Sequence, residues 1–337
     1  MQSREIVQRA IEFNSPPRLP FFQHDSPDVP DDVCDVWEMD RAQRGWFFDH
    51  AAEDDWGCGW SVTDSLNMGQ VTAHPLADWR ALSSYRPPDP RNPFYYERLE
   101  EGVAQANGRY VVITAHFNLI ERLHMLHGFT QTLEDLYLAP EPIETVLDMI
   151  LEFRLEQFDE LARRFGADID GLFLTDDWGT QAGTFISPQL FERFFASRYR
   201  QLVDAVHGHG WHFILHSCGR VNDFVPHFID AGMDVLNMQQ PQAYGIDEIG
   251  RRFAGKVCFL TTVDIQATLP SGDADRIRAE ASQLVNRWST PSGGFIVFNY
   301  GDPRSLAIDP GMTAVMFRAF AELSDRWAIA AQRPSTP

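Results

Sequence analysis

Gly171-Leu172-Phe173-Leu174-Thr175, preceded by Asp168 and Asp170 and followed by Asp176 and Asp177, is apolar up to its last residue. A strand buried on both faces reads this way, because neither of its alternating rows meets water. Ser187-Pro188 then supplies an N-cap ahead of a proline at the first helical position. Leu190, Phe191, Phe194 and Phe195 give the helix beyond it one apolar face, ending near Gly208 and Gly210. The unit recurs. Trp211 to Leu215 reads as a strand and Val221 to Asp230 as a helix stopped by Gly232, and Asp234 to Met238 starts the next cycle. Val257 to Thr261 pairs with a helix over about Asp273 to Arg287, and Phe295 to Asn299 with one over about Pro310 to Leu323. Repeated strand-helix units imply parallel strands joined by right-handed crossovers, which leaves a closed barrel or an open doubly wound sheet.

The first half is less regular. Leu19 to Gln23 and Tyr110 to Ala115 are its clearer strands, and Pro142 to Phe165 is a long helix. Residues 30–108 hold Pro87, Pro88, Pro90 and Pro93 with little periodicity, so they read as a loop-rich insertion of short helices and a hairpin over the barrel mouth. No linker, low-complexity tract or repeat beyond the strand-helix period divides the chain. Its 337 residues are expected to form a single domain, within the size range of an α/β barrel with insertions.

A formal net charge of −20, with no Lys/Arg run, argues against nucleic acid as a partner, because phosphate recognition needs a basic patch. No apolar run approaches the roughly 18 residues of a membrane helix. Met1 to Asn14 carry Arg4, Glu5, Arg9 and Glu12 between apolar positions, as a surface helix does and a signal peptide does not. Cys34, Cys58, Cys218 and Cys258 follow no disulfide framework, and a reducing cytoplasm is the expected location.

In parallel α/β folds the catalytic groups follow the carboxyl ends of the strands. The exits here carry Gln23, His24 and Asp25; His116 and Asn118; Asp176, Asp177 and Gln181; His216 and Cys218; Asn237, Gln239 and Gln240; Asp264; and Asn299 with Asp302. One such residue alone is ordinarily a loop cap, but many at equivalent points of successive units face one concave mouth. His216-Ser217-Cys218-Gly219 is the sharpest motif, since an imidazole and a thiolate two residues apart suit zinc better than calcium or magnesium. The same spacing also fits a hydrogen-bonded histidine beside a small buried cysteine. Asp176-Asp177 suits a cationic group or acid-base chemistry, or an Asx turn for one of the two. Trp56, Trp60 and Trp178 offer rings for stacking or for packing, and Cys58 with Cys258 reads as small buried residues.

TDDWGTQ with SPQLFERFF after it, HSCGRV, MQQP, and GGFIVFNYGD with DPGMTAVMF after it are joined by FNSPPRLP, DDWGCGW, HPL and LHGF earlier in the chain. With these motifs the sequence resembles the uroporphyrinogen decarboxylase-like superfamily over most of its length. The resemblance implies a single (β/α)8 TIM-type barrel with its active site at the carboxyl ends of the strands. Two activities occur there: decarboxylation of uroporphyrinogen, and methyl transfer to or from a corrinoid by zinc-dependent methyltransferases and demethylases. The decarboxylases carry an arginine-rich N-terminal motif, whereas Arg18 to Pro27 here holds one arginine. An arginine-poor mouth suits a polycarboxylate badly.

The methyltransferases bind zinc through H-x-C and a later cysteine. His216 and Cys218 match the first part, and Asp302 stands where that cysteine would be. The resemblance therefore implies zinc held by His216, Cys218 and Asp302, with Asp25 or a water in the fourth position. Cobalamin, free or on a corrinoid protein, would be the methyl acceptor or donor. Asp177 and His116 are the expected catalytic residues, and Asp176, Gln181, Gln239, Trp178 and Asn299 are expected to bind a small methylated substrate such as a methoxyarene, methylamine or thioether. The alternative is a metal-free carboxy-lyase acting on another acid through Asp177 and His216.

Overall fold

The computed structural model describes residues 1–23, 26–37, 53–61, 69–301 and 303–331. Among them, eight strands form one sheet: β1 (Phe21–Phe22), β2 (Val33–Trp37), β5 (Tyr110–Ala115), β6 (Gly171–Thr175), β7 (His212–His216), β8 (Val235–Met238), β9 (Cys258–Thr261) and β10 (Phe295–Phe298). Their order is β1-β10-β9-β8-β7-β6-β5-β2, and every pairing is parallel. Two further strands, β3 (Gly59–Ser61) and β4 (Gln70–Ala73), make an antiparallel pair apart from the barrel.

Successive side chains of a strand point to opposite faces, so each barrel strand splits its residues between two cores. Leu172 and Leu174 of β6 pack outward with the helices, as do Phe213 and Leu215 of β7 and Phe295 and Val297 of β10. Phe173, Ile214, Ile296 and Phe298 point inward and meet Phe22, Val112 and Leu260 on the barrel axis. The interior is thus packed rather than hollow. Val7, Ala10 and Ile11 of the first helix, Ser3–Ile11, join the inner cluster, so this helix stoppers the amino-terminal end of the barrel. Arg4 and Gln8 fasten it by donating to Asp170 Oδ1 at 2.6 and 3.1 Å. The opposite end is left as the mouth.

The barrel closes where β1 meets β2, and Asp32 joins the two edges. Its N–H donates to the Phe21 carbonyl at 2.8 Å, while its carbonyl accepts from Tyr110 N–H at 2.9 Å. Its carboxylate accepts from Phe21 N–H at 2.9 Å, from Ser3 Oγ at 2.6 Å and from both terminal nitrogens of Arg18 at 2.6 Å each. A wholly buried carboxylate with this many donors joins strand edge to strand edge.

The expected cycles from Gly171 onward are present, with the N-cap at Ser187, whose Oγ accepts from Leu190 N–H, and Pro188 behind it. The helix that follows contains a π-helical turn, Glu192–Ala196, before Ser197–Gly208. Strand β2 departs from expectation. It lies inside residues 30–108, read above as insertion, and is a full barrel strand. Its inward row holds Asp35, which accepts from Thr114 and Trp37, so the residues lack an apolar run. No helix among the described residues is long and apolar enough to cross a membrane.

Replacing Asp32 by Ala strands a buried N–H and a half-buried guanidinium, and should cost about 3–5 kcal/mol. Urea denaturation of the variant measures it; a loss within experimental error would show that the β1/β2 junction does not depend on this carboxylate.

Candidate metal centre at the barrel mouth

The inward row of each strand turns polar at its carboxyl end. Thr175 and Asp177 continue the row of Phe173, His216 and Cys218 that of Ile214, and Asn237 and Gln239 that of Val235. Register places Thr175 opposite His216, and His216 opposite Asn237. The exits of β6, β7 and β8 therefore present their side chains at one level of one wall.

His216 is held in a defined tautomer. Asn237 Nδ2 donates to the Leu260 carbonyl at 2.9 Å, which turns its Oδ1 to His216 Nδ1 at 2.7 Å. Nδ1 therefore carries the proton, and Nε2 is left with a lone pair directed into the mouth. Nε2 lies 3.3 Å from Cys218 Sγ and 3.6 Å from Asp177 Oδ1. The three donor atoms all lie within 4.8 Å of one another. Zinc bonds of about 2.0–2.3 Å at tetrahedral angles space donors about 3.3–3.6 Å apart. The spacing and the N, S and O donor set fit a divalent zinc-like ion.

Two backbone features keep Asp177 against the β7 exit. Its Oδ1 accepts from Cys218 N–H at 2.7 Å, and Arg220 N–H donates to the Thr180 carbonyl at 2.7 Å. Gly219, at φ +78°, lies so close to Gly179 that a Cβ there would come within 2.2 Å of the Gly179 carbonyl carbon. Only glycine permits the two loops to touch in this way. Burial, then the charges of Asp177 and Glu121, push the Cys218 thiol well above its ordinary range. A cation bound here would reverse that preference.

The other expected site residues separate into two groups. His116 stands at the β5 exit with its ring 5.0 Å from that of Trp37, and burial, His216 and Arg154 lower its pKa to about 3, so it is a neutral imidazole at neutral pH. Gln239 donates from Nε2 to Asn237 Oδ1 at 2.7 Å, and Asn299 follows β10, its N–H bonded to the Phe22 carbonyl at 3.0 Å. Gln181 donates to Gln240 Oε1 at 3.2 Å, tying one mouth loop to the next.

Asp176 and Trp178 belong to the outward row and do not line the mouth. Asp176, wholly buried, accepts from Ile120 N–H at 3.2 Å, Glu121 N–H at 2.9 Å and the Tyr199 hydroxyl, and so caps the helix Leu119–His127. Trp178 is equally buried among Phe191, Phe195 and Phe224, with Nε1 donating to Tyr199 at 2.9 Å, so it cannot stack on a substrate. Asp302 and Asp25 lie outside the described residues. Cys58 and Cys258 are buried, as expected of them.

Asn237 and Glu121 were not singled out for roles. The register with His216 marks Asn237; Glu121, in the first turn of the helix Leu119–His127, reads in sequence as an ordinary partner of the helix dipole.

A family model described as uroporphyrinogen decarboxylase (URO-D) matches residues 53–323. The chain belongs to the uroporphyrinogen decarboxylase family. Among solved structures it is similar to a methyltransferase from Methanosarcina mazei, with a TM-score of 0.69 at 14% identity over 96% of this chain and 99% of that one. A D-psicose 3-epimerase from Clostridium cellulolyticum H10 gives a TM-score of 0.43 at 11% identity over 71% and 87% of the two chains. No curated protein matches the sequence. In the arrangement this member of the uroporphyrinogen decarboxylase family displays, three donors of different chemistry meet at one wall of the barrel mouth.

Asn237→Ala should weaken zinc binding about 10- to 100-fold by releasing the His216 tautomer, as read by competition with a chromophoric chelator. Unchanged affinity would remove Asn237 from the site. Because the Cys218 thiol is held protonated, zinc must displace that proton, and apparent affinity should rise about tenfold per pH unit through neutrality. A pH-independent affinity would mean that Cys218 is not a ligand.

Proposed function

We propose that this protein is a zinc-dependent methyltransferase that moves a methyl group between a small methylated donor and a corrinoid, free or carried by a partner protein. The observation that carries the reading is the convergence of donor atoms of His216, Cys218 and Asp177 within 4.8 Å of one another, on a fold shared with a methyltransferase over nearly its whole length.

His216 and Cys218 hold the metal, and Asp177, expected beside the substrate, supplies a carboxylate to it. Asp302, on the segment after β10, is the expected further ligand. Zinc in such a site acts as a Lewis acid toward the heteroatom that the methyl group leaves. Neutral His116 and Gln239 orient the donor from the β5 and β8 exits, and Asn299 approaches from the β10 side.

The electrostatics favour this reading over decarboxylation. The guanidinium of Arg122 is bound to Asp54 at 2.8 Å, and that of Arg154 to the His116 carbonyl at 2.6 Å and to Gln157 Oε1 at 2.6 Å. Neither is placed to grip a polycarboxylate.

The purified protein should contain zinc and form methylcobalamin from a methylated donor only when cob(I)alamin is supplied, with no carbon dioxide released from uroporphyrinogen. The visible spectrum of methylcobalamin reports the reaction across methoxyarenes, methylamines and thioethers. His216→Ala, Cys218→Ala and Asp177→Ala should each lower metal content and turnover together, and Asp302→Ala should do the same if it completes the ligand set. Turnover without cobalamin, or full activity after His216→Ala, would refute the reading.

A further inference from the structure

The motifs HPL and LHGF take no part in the metal centre, yet they lie against each other. The helices Leu119–His127 and Phe129–Leu138 are inserted between the exit of β5 and the long helix Pro140–Phe165, so the corner between them stands at the mouth end of the barrel. Gly128, at φ 103°, makes that corner. The segment His74–Leu82 is seated on it: Leu76 N–H donates to the Leu126 carbonyl at 2.8 Å, and His74 Nδ1 donates to the Met125 carbonyl at 2.8 Å. The other end of the same helix is capped by Asp176, next in the chain to Asp177.

His127 is the point at which the two motifs lock. It is 2% exposed, and both ring nitrogens meet acceptors: Nδ1 lies 2.7 Å from the Leu76 carbonyl and Nε2 2.9 Å from Asp135 Oδ2. A carbonyl has no proton to give, so Nδ1 carries one. The proton between Nε2 and Asp135 belongs to the ring as well, because a carboxylic acid is the stronger acid of the pair. Trp79 Nε1 steadies the carboxylate by donating to the same Oδ2 at 2.7 Å. Two further contacts suit a cation. The Trp79 ring stacks on that of His127, with centroids 3.7 Å apart and planes 21° from parallel, and His127 is the last residue of its helix, where the backbone dipole is negative.

The surrounding titratable groups are otherwise engaged. His124, one turn back on the same helix, is kept neutral by burial, which lowers it to about 4. His74 spends Nδ1 on Met125, and the Asp78 carboxylate beside Trp79 is taken by Arg80. The long helix Pro140–Phe165 buries an apolar row in its first half, Ile143, Val146, Leu147 and Ile150. Asp135 is left as the counter-charge.

We propose that His127 is held as an imidazolium and is a proton-operated clasp, seating His74–Leu82 on the rim of the mouth. When the ring gives up a proton, it gives up the one on Nδ1, since the carboxylate is the stronger acceptor and keeps Nε2–H. Nδ1 then turns a lone pair toward the Leu76 carbonyl at hydrogen-bond distance. The segment is released, while the two helices stay joined through Asp135. The clasp is closed while the ring holds both protons and opens as rising pH removes one. It acts on the rim, whatever reaction the mouth performs.

Nuclear magnetic resonance of the full chain with 15N-labelled histidine reads the clasp directly. Both His127 nitrogens should carry protons at neutral pH. As the pH is raised until one is lost, hydrogen-exchange protection of the Leu76 amide, corrected for its intrinsic rate, should fall about tenfold or more. His127→Asn puts a carboxamide nitrogen where Nδ1 was and does not titrate, so its Leu76 protection should stay level with pH. Should His127→Asn fail to fold, Asp135→Asn removes the counter-charge, and the loss of protection should begin about one pH unit or more lower. A single protonated ring nitrogen at neutral pH, an equal loss of protection in the parent and His127→Asn, or a loss that Asp135→Asn does not move overturns the clasp.

Discussion

Every barrel strand must send alternate side chains to the axis and to the helices, and the site depends on that constraint. Along the inward rows of β5 to β8, the axis is filled by Val112, Phe173, Ile214 and Val235 before the polar residues begin. The apolar layers fix the height at which the rows become polar, and parallel register sets neighbouring rows level. Thr175, His216 and Asn237 are consecutive register partners, so the tautomer of His216 is settled by the residue opposite it on the next strand. A one-residue slip of β8 would exchange Asn237 for an apolar neighbour and leave the imidazole undirected.

The same alternation separates groups that are adjacent in the chain. Asp177 continues the inward row of β6 and enters the donor set, whereas Asp176 and Trp178 on either side face the helices. Two adjacent aspartates thus do different work. One gathers with His216 and Cys218; the other caps the helix that carries Glu121, taking the Glu121 N–H and the Tyr199 hydroxyl. Burial raises the Asp176 carboxyl, to about 7, against the pull of its three donors. Burial also lowers His124, to about 4. A resident cation would find several groups ready to balance it.

The strands from Gly171 onward were legible because their apolar runs end at polar exits, and H-x-C was legible because both residues fall on one inward row. Strand β2 was not, because Asp35 interrupts its apolar character from inside the barrel, where Thr114 and Trp37 satisfy it. Trp178 has the chemistry of a stacking residue, but counting along β6 from Phe173 assigns it to the other face. Asn237 and Glu121 required register and a tertiary hydrogen bond, neither of which is written in local sequence.

The donor set bears on the chemistry through charge. A second thiolate, as the family pattern places after the last strand, would donate more electron density to zinc than a carboxylate does, and would leave it a weaker Lewis acid. On the proposed reading Asp177 stands among the donors and Asp302 is the expected counterpart of the later cysteine, so the ligands offered would be one thiolate, one imidazole and carboxylates. Such a centre would be better suited to drawing electrons from an ether oxygen than to activating a thiol. On that reading the carboxylates that distinguish this mouth from a thiol-activating one would act through the metal on the departing oxygen.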